Sequence, residues 1–227
     1  TPRQLTRTME STRASTCLHH HKLGVGNYRM SKGQQSPDAV IIGAGVMGLA
    51  TAYFLASRHK FRCLVIERDG IGSQASGGAA GELSAVHRHP TGDEFAKLCL
   101  ESIRLHWEMA PILVEESGID YRLSPLPMIR PAMHEDEIPD LIAQMKWQES
   151  LGMETEWVSG NTLRNLNSWL TEDSPGASYC LEQQLEAYPY TVALAQAAEK
   201  HGVLIQTGEV TGLMHDGTKV GGVLLGN

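Results

Sequence analysis

The apolar positions of the chain fall into runs of different kinds. Ala39-Val40-Ile41-Ile42 is a β-branched run bounded by Asp38 and Gly43 and too short for a helix, which predicts a strand buried in a parallel sheet. From Val46 to about residue 57, Met47, Ala50, Ala52, Tyr53, Phe54, Leu55 and Ala56 leave few polar sides. This is the pattern of a helix wedged against a sheet, with small residues that permit close approach. Residues 62–66 alternate and then run apolar into Glu67, giving a second strand. The next apolar pattern is delayed by Gly72-Ser73-Gln74-Ala75-Ser76-Gly77-Gly78-Ala79-Ala80-Gly81, which has no bulky apolar side chain and cannot build core.

A different periodicity begins at Asp93. Phe95, Leu98, Cys99, Ser102, Leu105, Met109 and Leu113 recur at helical spacing over 93–117, with Pro111 expected to kink or divide the helix. Strand patterns follow at 119–123 and 126–131, then a helix near 135–151 with acids in its first turn, and a strand at 153–158. Ser159-Gly160-Asn161 caps a short helix to about Leu166, and 177–181 reads as another strand. After Tyr188-Pro189 come a helix over 190–201, an apolar strand from Val203, and a hairpin of 213–215 and 220–225 turning at Asp216-Gly217. Because the middle of the chain leaves the β–α alternation, a second region reads as inserted into the first.

The first unit carries the chemistry. Gly43, Gly45 and Gly48 stand in G-x-G-x-x-G spacing between strand and helix: the first for a tight turn, the second for backbone approach to a pyrophosphate, the third for helix–strand packing. The helix N-terminus behind them offers N–H donors and the positive end of its dipole. Glu67, nineteen residues after Gly48 at the end of the second strand, is the expected ligand of ribose hydroxyls. Alone the glycine motif is weak, but strand, helix, second strand and acid together predict a dinucleotide site. The small-residue stretch 72–81 is either a Gly/Ser linker or a second phosphate-facing loop, and the apolar pattern that resumes at Leu83-Ser84-Ala85-Val86 favours the loop.

In these residues the chain resembles the N-terminal part of the FAD-dependent amine and amino-acid oxidoreductases that include glycine oxidase, D-amino-acid oxidase and sarcosine oxidase. The resemblance rests on Gly43–Gly48, on Glu67-Arg68, on Ala79-Ala80-Gly81-Glu82-Leu83, and on the helix, strand and Val210 that follow Tyr188-Pro189. It implies an α/β chain: a Rossmann-like FAD-binding domain with an inserted α+β substrate domain, C-terminally truncated. The implied division is an N-terminal segment 1–36, FAD-binding parts at 37–90 and 188–227, and a substrate region at 91–187. It further implies noncovalent FAD held by Gly43, Gly45, Val46, Met47 and Gly48 at the pyrophosphate, by Glu67 at the ribose, and by Arg68 and Val210 at the adenine. Ala75 and Ser76 would lie at the phosphates, and Gly81, Glu82 and Leu83 at the ribityl chain and ring, with the Glu82 side chain turned away. The implied reaction is oxidation of a small amine or amino acid by hydride transfer to the flavin. The alternatives are a dehydrogenase of a hydroxy acid or other non-amine substrate, and a nucleotide-binding fragment without turnover. The carboxylate clamp of the family belongs to a later segment, so no catalytic residue is assigned.

Composition sharpens this outline. Residues 1–36 hold six basic residues against one acid, and removing that +5 from a net charge of −7 leaves −12 for the rest, which excludes a nucleic-acid groove. This Arg/Ser/Thr-rich segment is similar to an organellar transit peptide, which would place the protein in a mitochondrion or chloroplast. With Met30 as the start, a cytoplasmic location is expected instead. No apolar run approaches the twenty residues of a membrane span. Cys17, Cys63, Cys99 and Cys180 lack metal spacing, three of them reading as reduced and buried, and His19-His20-His21 is not read as a metal site. His87-Arg88-His89-Pro90 is the best local candidate on the substrate side, with Tyr121, Arg122 and Arg130 behind it. Trp107, Trp147, Trp157 and Trp169 read as packing residues.

Overall fold

The computed structural model describes residues 36–84, 93–166 and 173–226. Strand β1 (Ala39–Ile42), helix α1 (Val46–His59) and strand β2 (Cys63–Glu67) form the predicted β–α–β unit. Strand β7 (Leu204–Thr207), reached after helix α6 (Ala187–Lys200), returns to it and completes a parallel sheet of order β1-β2-β7. The register Ala39↔Cys63 and Leu64↔Leu204 sets the C-terminal ends of the three strands side by side. Ligands of open parallel sheets bind beyond those ends.

Leu49, Ala52, Tyr53 and Ala56 of α1 pack with Ala193, Leu194, Ala197 and Ala198 of α6 against Cys63 and Val65 of β2. The alanines permit this close three-element contact, and truncating the fully buried Leu49 to Ala would cost about 2–5 kcal/mol. At the opposite end of the sheet Asp38 accepts bonds from Arg62 Nε and Nη2 at 2.9 and 2.6 Å, fastening the start of β1 to the approach to β2.

The middle of the chain builds an antiparallel sheet around β6 (Gly176–Gln184), with β4 (Ser124–Ala132) along one side and both β3 (Glu82–Leu83) and β5 (Thr155–Val158) also paired to it. Pro125, Pro127 and Pro131 occupy alternate positions of β4. A strand accommodates that spacing when its proline positions face away from the ladder, so β4 turns them from β6 toward its other edge. Helix α3 (Asp93–Ser117) continues through Pro111, so the proline does not divide it, and it contributes Leu113 to the main core. Helix α4 (Ile138–Ser150) follows one 3-10 turn, Glu135–Glu137, and α5 (Gly160–Leu166) follows β5. Strands β8 (Val210–Asp216) and β9 (Lys219–Leu225) make the predicted hairpin, with Gly217 at φ +59° in its turn.

Residues 119–123 are not the expected strand. Asp120 Oδ1 accepts the N–H of Arg122 at 2.9 Å, Arg122 takes a left-handed conformation at φ +56°, and Tyr121 O accepts the N–H of Glu186. An Asx turn thus replaces the strand ladder. The stretch 72–81 also differs from a plain loop, because Ala75–Gly78 forms one helical turn, α2.

Candidate functional site

The first glycine loop is shaped by what its glycines cannot carry. Gly43 turns the chain at φ +100° while its N–H donates to Ile66 O at 2.8 Å. A Cβ on Gly48 would overlap Gly43 O, so α1 can lie this close to β1 only with glycine there. Gly45 caps α1 in an extended conformation without a side-chain capping bond, and the first turn holds no acid. The positive end of the helix therefore has no carboxylate of its own.

The second loop is tied to the first. Gly72 N–H donates to Ala44 O at 3.0 Å, and Ser76 Oγ accepts the N–H of Val46 at 3.0 Å. A Cβ on Gly45 would meet that same Oγ at 3.0 Å, so this glycine is what lets Ser76 reach the start of α1. Ala75 opens α2 beside it. Gly81 adopts φ +85° and a Cβ there would overlap Leu185 O, while Leu185 N–H donates to Gly81 O at 2.9 Å. This pins the loop to the junction of β6 and α6 and delivers Glu82 and Leu83 into the second sheet opposite Gln184 and Gln183. Glu82 is exposed.

Glu67 has a larger structural part than its sequence position implies. Its Oε2 accepts the N–H of Ala44 at 2.7 Å, and its Oε1 accepts those of Asp69 and Gly70 at 2.8 and 3.3 Å. Burial works against the charge, but the three donors outweigh it and hold the carboxyl below its usual range. Arg68 lies beside Asp69 and Glu209, and Gly208 N–H donates to Glu67 O at 2.8 Å, which brings the start of β8 and Val210 to the end of β2.

Between α1, α3 and α6 lies a cavity of about 390 Å³, lined by Val46, Met47, Leu83, His106, Met109 and Tyr190 among others and by Ser76, Gly81 and Glu82 of the second loop and its exit. Met47 is 78% exposed, an apolar side chain left uncovered at the mouth. Burial pushes His106 below its usual range and the Tyr190 hydroxyl above its own, so both are neutral groups at physiological pH. Sequence reasoning did not single out His106 or Tyr190 for the site. The signal was present, since His106 lies four residues after Ser102 and three before Met109, on one face of α3. A shallower hollow of about 430 Å³ beside Trp107, Pro111, Val114 and Leu123 shares no residue with the glycine loops.

The structure thus sets the predicted Gly43, Gly45, Val46, Met47, Gly48, Glu67 and Ser76 around the ends of β1 and β2, and brings Gly81, Glu82 and Leu83 to the cavity that Val46, Met47 and Ser76 also line. Three other candidates stand apart from it. Tyr121 is 1% exposed and packs behind Tyr190, Arg122 Nε lies 3.4 Å from a Glu186 carboxylate oxygen, and Arg130 bonds Gln144 of α4. His87-Arg88-His89-Pro90, Trp169, His19-His20-His21 and Cys17 lie outside the described residues. Cys63 and Cys180 are buried and Cys99 is half-buried, short of the full burial expected.

Parallel strands with two cross-tied glycine loops and an acid at their C-terminal ends define a dinucleotide-binding α/β protein of Rossmann type. The chain belongs to the DAO family, FAD dependent oxidoreductase, which it matches over residues 38–227. It is 32% identical over 170 residues to glycine oxidase of Geobacillus kaustophilus (strain HTA426), covering 74% of this chain and 45% of the relative. The crystal structure of glycine oxidase from Geobacillus kaustophilus superposes with a TM-score of 0.75 at 30% identity over 83% of this chain and 53% of that one. Sarcosine oxidase subunit beta of Arthrobacter sp is 30% identical over 199 residues, 84% of this chain and 47% of the relative. One component of the anaerobic glycerol-3-phosphate dehydrogenase of Escherichia coli (strain K12) is 27% identical over 87% of this chain and 35% of its own length. The chain spans about half the length of the glycine and sarcosine oxidases it matches. The family cofactor is FAD, and the donor set fits it: backbone N–H groups at an acid-free helix start, a Ser hydroxyl, and glycines where a Cβ would intrude. No helix among the described residues is long and apolar enough to cross a membrane.

Proposed function

We propose that this chain binds FAD noncovalently and serves an oxidoreductase that oxidises a small amine or amino acid in the manner of glycine oxidase. The observation that carries the reading is the cross-tie of the two glycine loops, Ser76 Oγ to Val46 N–H and Gly72 N–H to Ala44 O, at the start of α1. Gly43, Gly45, Val46, Met47 and Gly48, with Ala75 and Ser76, line the pyrophosphate. Since the N–H groups of Gly43 and Val46 are engaged by Ile66 O and Ser76 Oγ, the Ser76 hydroxyl and the following first-turn N–H groups of α1 are the donors. Glu67 takes ribose hydroxyls, Arg68 and Val210 flank the adenine, and Gly81, Glu82 and Leu83 guide the ribityl chain toward the cavity beside His106. In this reading 37–90 and 188–227 form the cofactor part and 91–187 the substrate part. FAD, when bound, supplies the acceptor for the hydride of the substrate C–H bond. The chain's own residues orient the cofactor, and neutral His106 and Tyr190 with apolar Met47, Leu83 and Met109 give the cavity a largely uncharged lining.

The test is uptake of FAD by the full chain, followed anaerobically through the visible flavin band with glycine, sarcosine, glycerol 3-phosphate and a hydroxy acid as reductants. Bleaching by an amine supports the proposal. Bleaching by glycerol 3-phosphate or the hydroxy acid alone replaces it with the dehydrogenase reading, for which the similarity to the Escherichia coli dehydrogenase is the ground. Binding without reduction by any of them leaves the role of a nucleotide-binding part.

A further inference from the structure

Beyond Glu67, a guanidinium and two carboxylates meet where β2 and β7 end. The register places Glu67 beside Thr207 and Gly208 N–H donates to Glu67 O, so Arg68 and Glu209 leave the sheet as neighbours. Arg68 Nε donates to Asp69 Oδ2 at 3.2 Å and its Nη1 stands 3.9 Å from Glu209 Oε1. Asp69 Oδ2 also accepts from Gln74 Nε2 at 3.2 Å, which links this corner to the second glycine loop.

This arrangement differs from the ion pair that fastens the sheet. Asp38 and Arg62 make two short side-chain bonds at 2.6 and 2.9 Å, whereas Arg68 and Glu209 are loosely spaced and 60% and 58% exposed. An exposed pair of that kind contributes little to folding stability. Its value rises when a flat apolar surface covers it, because lower local dielectric strengthens the attraction while the guanidinium face stacks on the ring.

We propose that Glu209 is a positioning residue for the adenine of FAD: with Asp69 it holds the Arg68 guanidinium across the corner of β2 and β7, as a platform for the purine, opposite Val210. The inference rests on the FAD reading above and adds a residue to it. Glu209 acts through Arg68 and through no contact of its own with the reacting atoms.

The experiment is FAD binding to the full chain by flavin fluorescence, for wild type, Glu209→Gln, Arg68→Gln and the double variant, with thermal midpoints of each measured without FAD. Glu209→Gln is expected to weaken FAD binding about 3-fold to 10-fold, from an exposed pair strengthened by partial desolvation. Its thermal midpoint should stay within about 1 °C of wild type. In the Arg68→Gln background the same substitution should change affinity by less than about 1.5-fold, since the partner it positions is gone. Unchanged affinity in Glu209→Gln, an equal loss without Arg68, or a loss that follows a fall in thermal midpoint overturns the assignment. A wild-type chain that takes up no FAD overturns the cofactor reading as well. Wild-type binding with an indifferent Glu209 overturns this inference alone.

Discussion

Replacing Glu67 by Gln keeps the side-chain shape and removes one acceptor oxygen together with the charge. In the wild-type fold Oε2 serves Ala44 N–H and Oε1 serves Asp69 and Gly70 N–H. A glutamine amide satisfies one of these sides and presents its own NH2 to a backbone donor on the other. Hydrogen bonds to a charged group are worth about 1.5–3 kcal/mol each when buried. Glu67 is only half-buried, and solvent screening reduces that. The loss of one or two such bonds then comes to about 1–3 kcal/mol, or about 3–10 °C in thermal midpoint at neutral pH for a chain of this size.

The pH dependence gives a second handle. The folded carboxyl titrates below its ordinary value of 4.5, so its contribution is fully present above that value and is lost as pH falls through the lower folded one. Thermal denaturation of wild type and Glu67→Gln should therefore show a gap that is widest near neutral pH and narrows below about pH 4.5. Equal midpoints at pH 7, or a gap that stays constant into acid, would refute the reasoning that three backbone donors lean on this carboxylate.

Three further outcomes follow from the same geometry. Gly81→Ala meets both a φ of +85° and the Leu185 carbonyl, and should lose about 2–4 kcal/mol in chemical denaturation with a matching fall in FAD uptake. Ser76→Ala removes the acceptor of Val46 N–H, and is expected to lower stability by about 0.5–1.5 kcal/mol and FAD affinity several-fold, read by calorimetric titration. His106 is held neutral by burial, so the fold loses stability as pH falls below the ordinary imidazole value. His106→Phe should flatten the fall of the thermal midpoint below about pH 6.5, and an unaltered slope would refute the reading that burial holds this imidazole neutral.

The parts of the fold that were legible are those whose cause is local. The stripe from Phe95 to Leu113 marks α3, and the run 39–42 with its three following glycines marks β1 and the turn into α1. Pro125, Pro127 and Pro131 would ordinarily argue against a strand, but their period of two matches the pleat and leaves β4 intact. What failed at 119–123 is also local: the apolar spacing of Ile119, Tyr121 and Leu123 mimics a strand, while Asp120 bonds the backbone two residues on and bends it. Pairings between distant segments leave no periodic trace. Ser84 meets Glu182 across 98 positions, and β3 is only two residues long, so neither its partner nor its register could be read beforehand. The cavity is of this second kind, being formed by side chains of α1, α3 and α6 that touch only in the assembled fold.

Glu67 shows how a residue singled out by its place in the sequence can carry a structural part that the sequence does not announce. Its position at the end of β2 is the ground for proposing that it faces a ribose, and a carboxylate offers about four acceptor positions. Three of these are already engaged by Ala44, Asp69 and Gly70. If the loops keep their shape when a dinucleotide binds, the carboxylate has room for one strong bond to a ribose hydroxyl, and a second requires one backbone donor to be released. The donor at 3.3 Å, Gly70 N–H, is the longest of the three and the least costly to exchange. Binding the adenosine should then loosen the turn at Gly70, next to Arg68 and Asp69, and leave the Ala44 bond that fixes the first glycine loop in place. Amide hydrogen exchange with and without FAD distinguishes the two sites: faster exchange at Gly70 with continued protection of Ala44 agrees with this ordering, and the reverse pattern contradicts it.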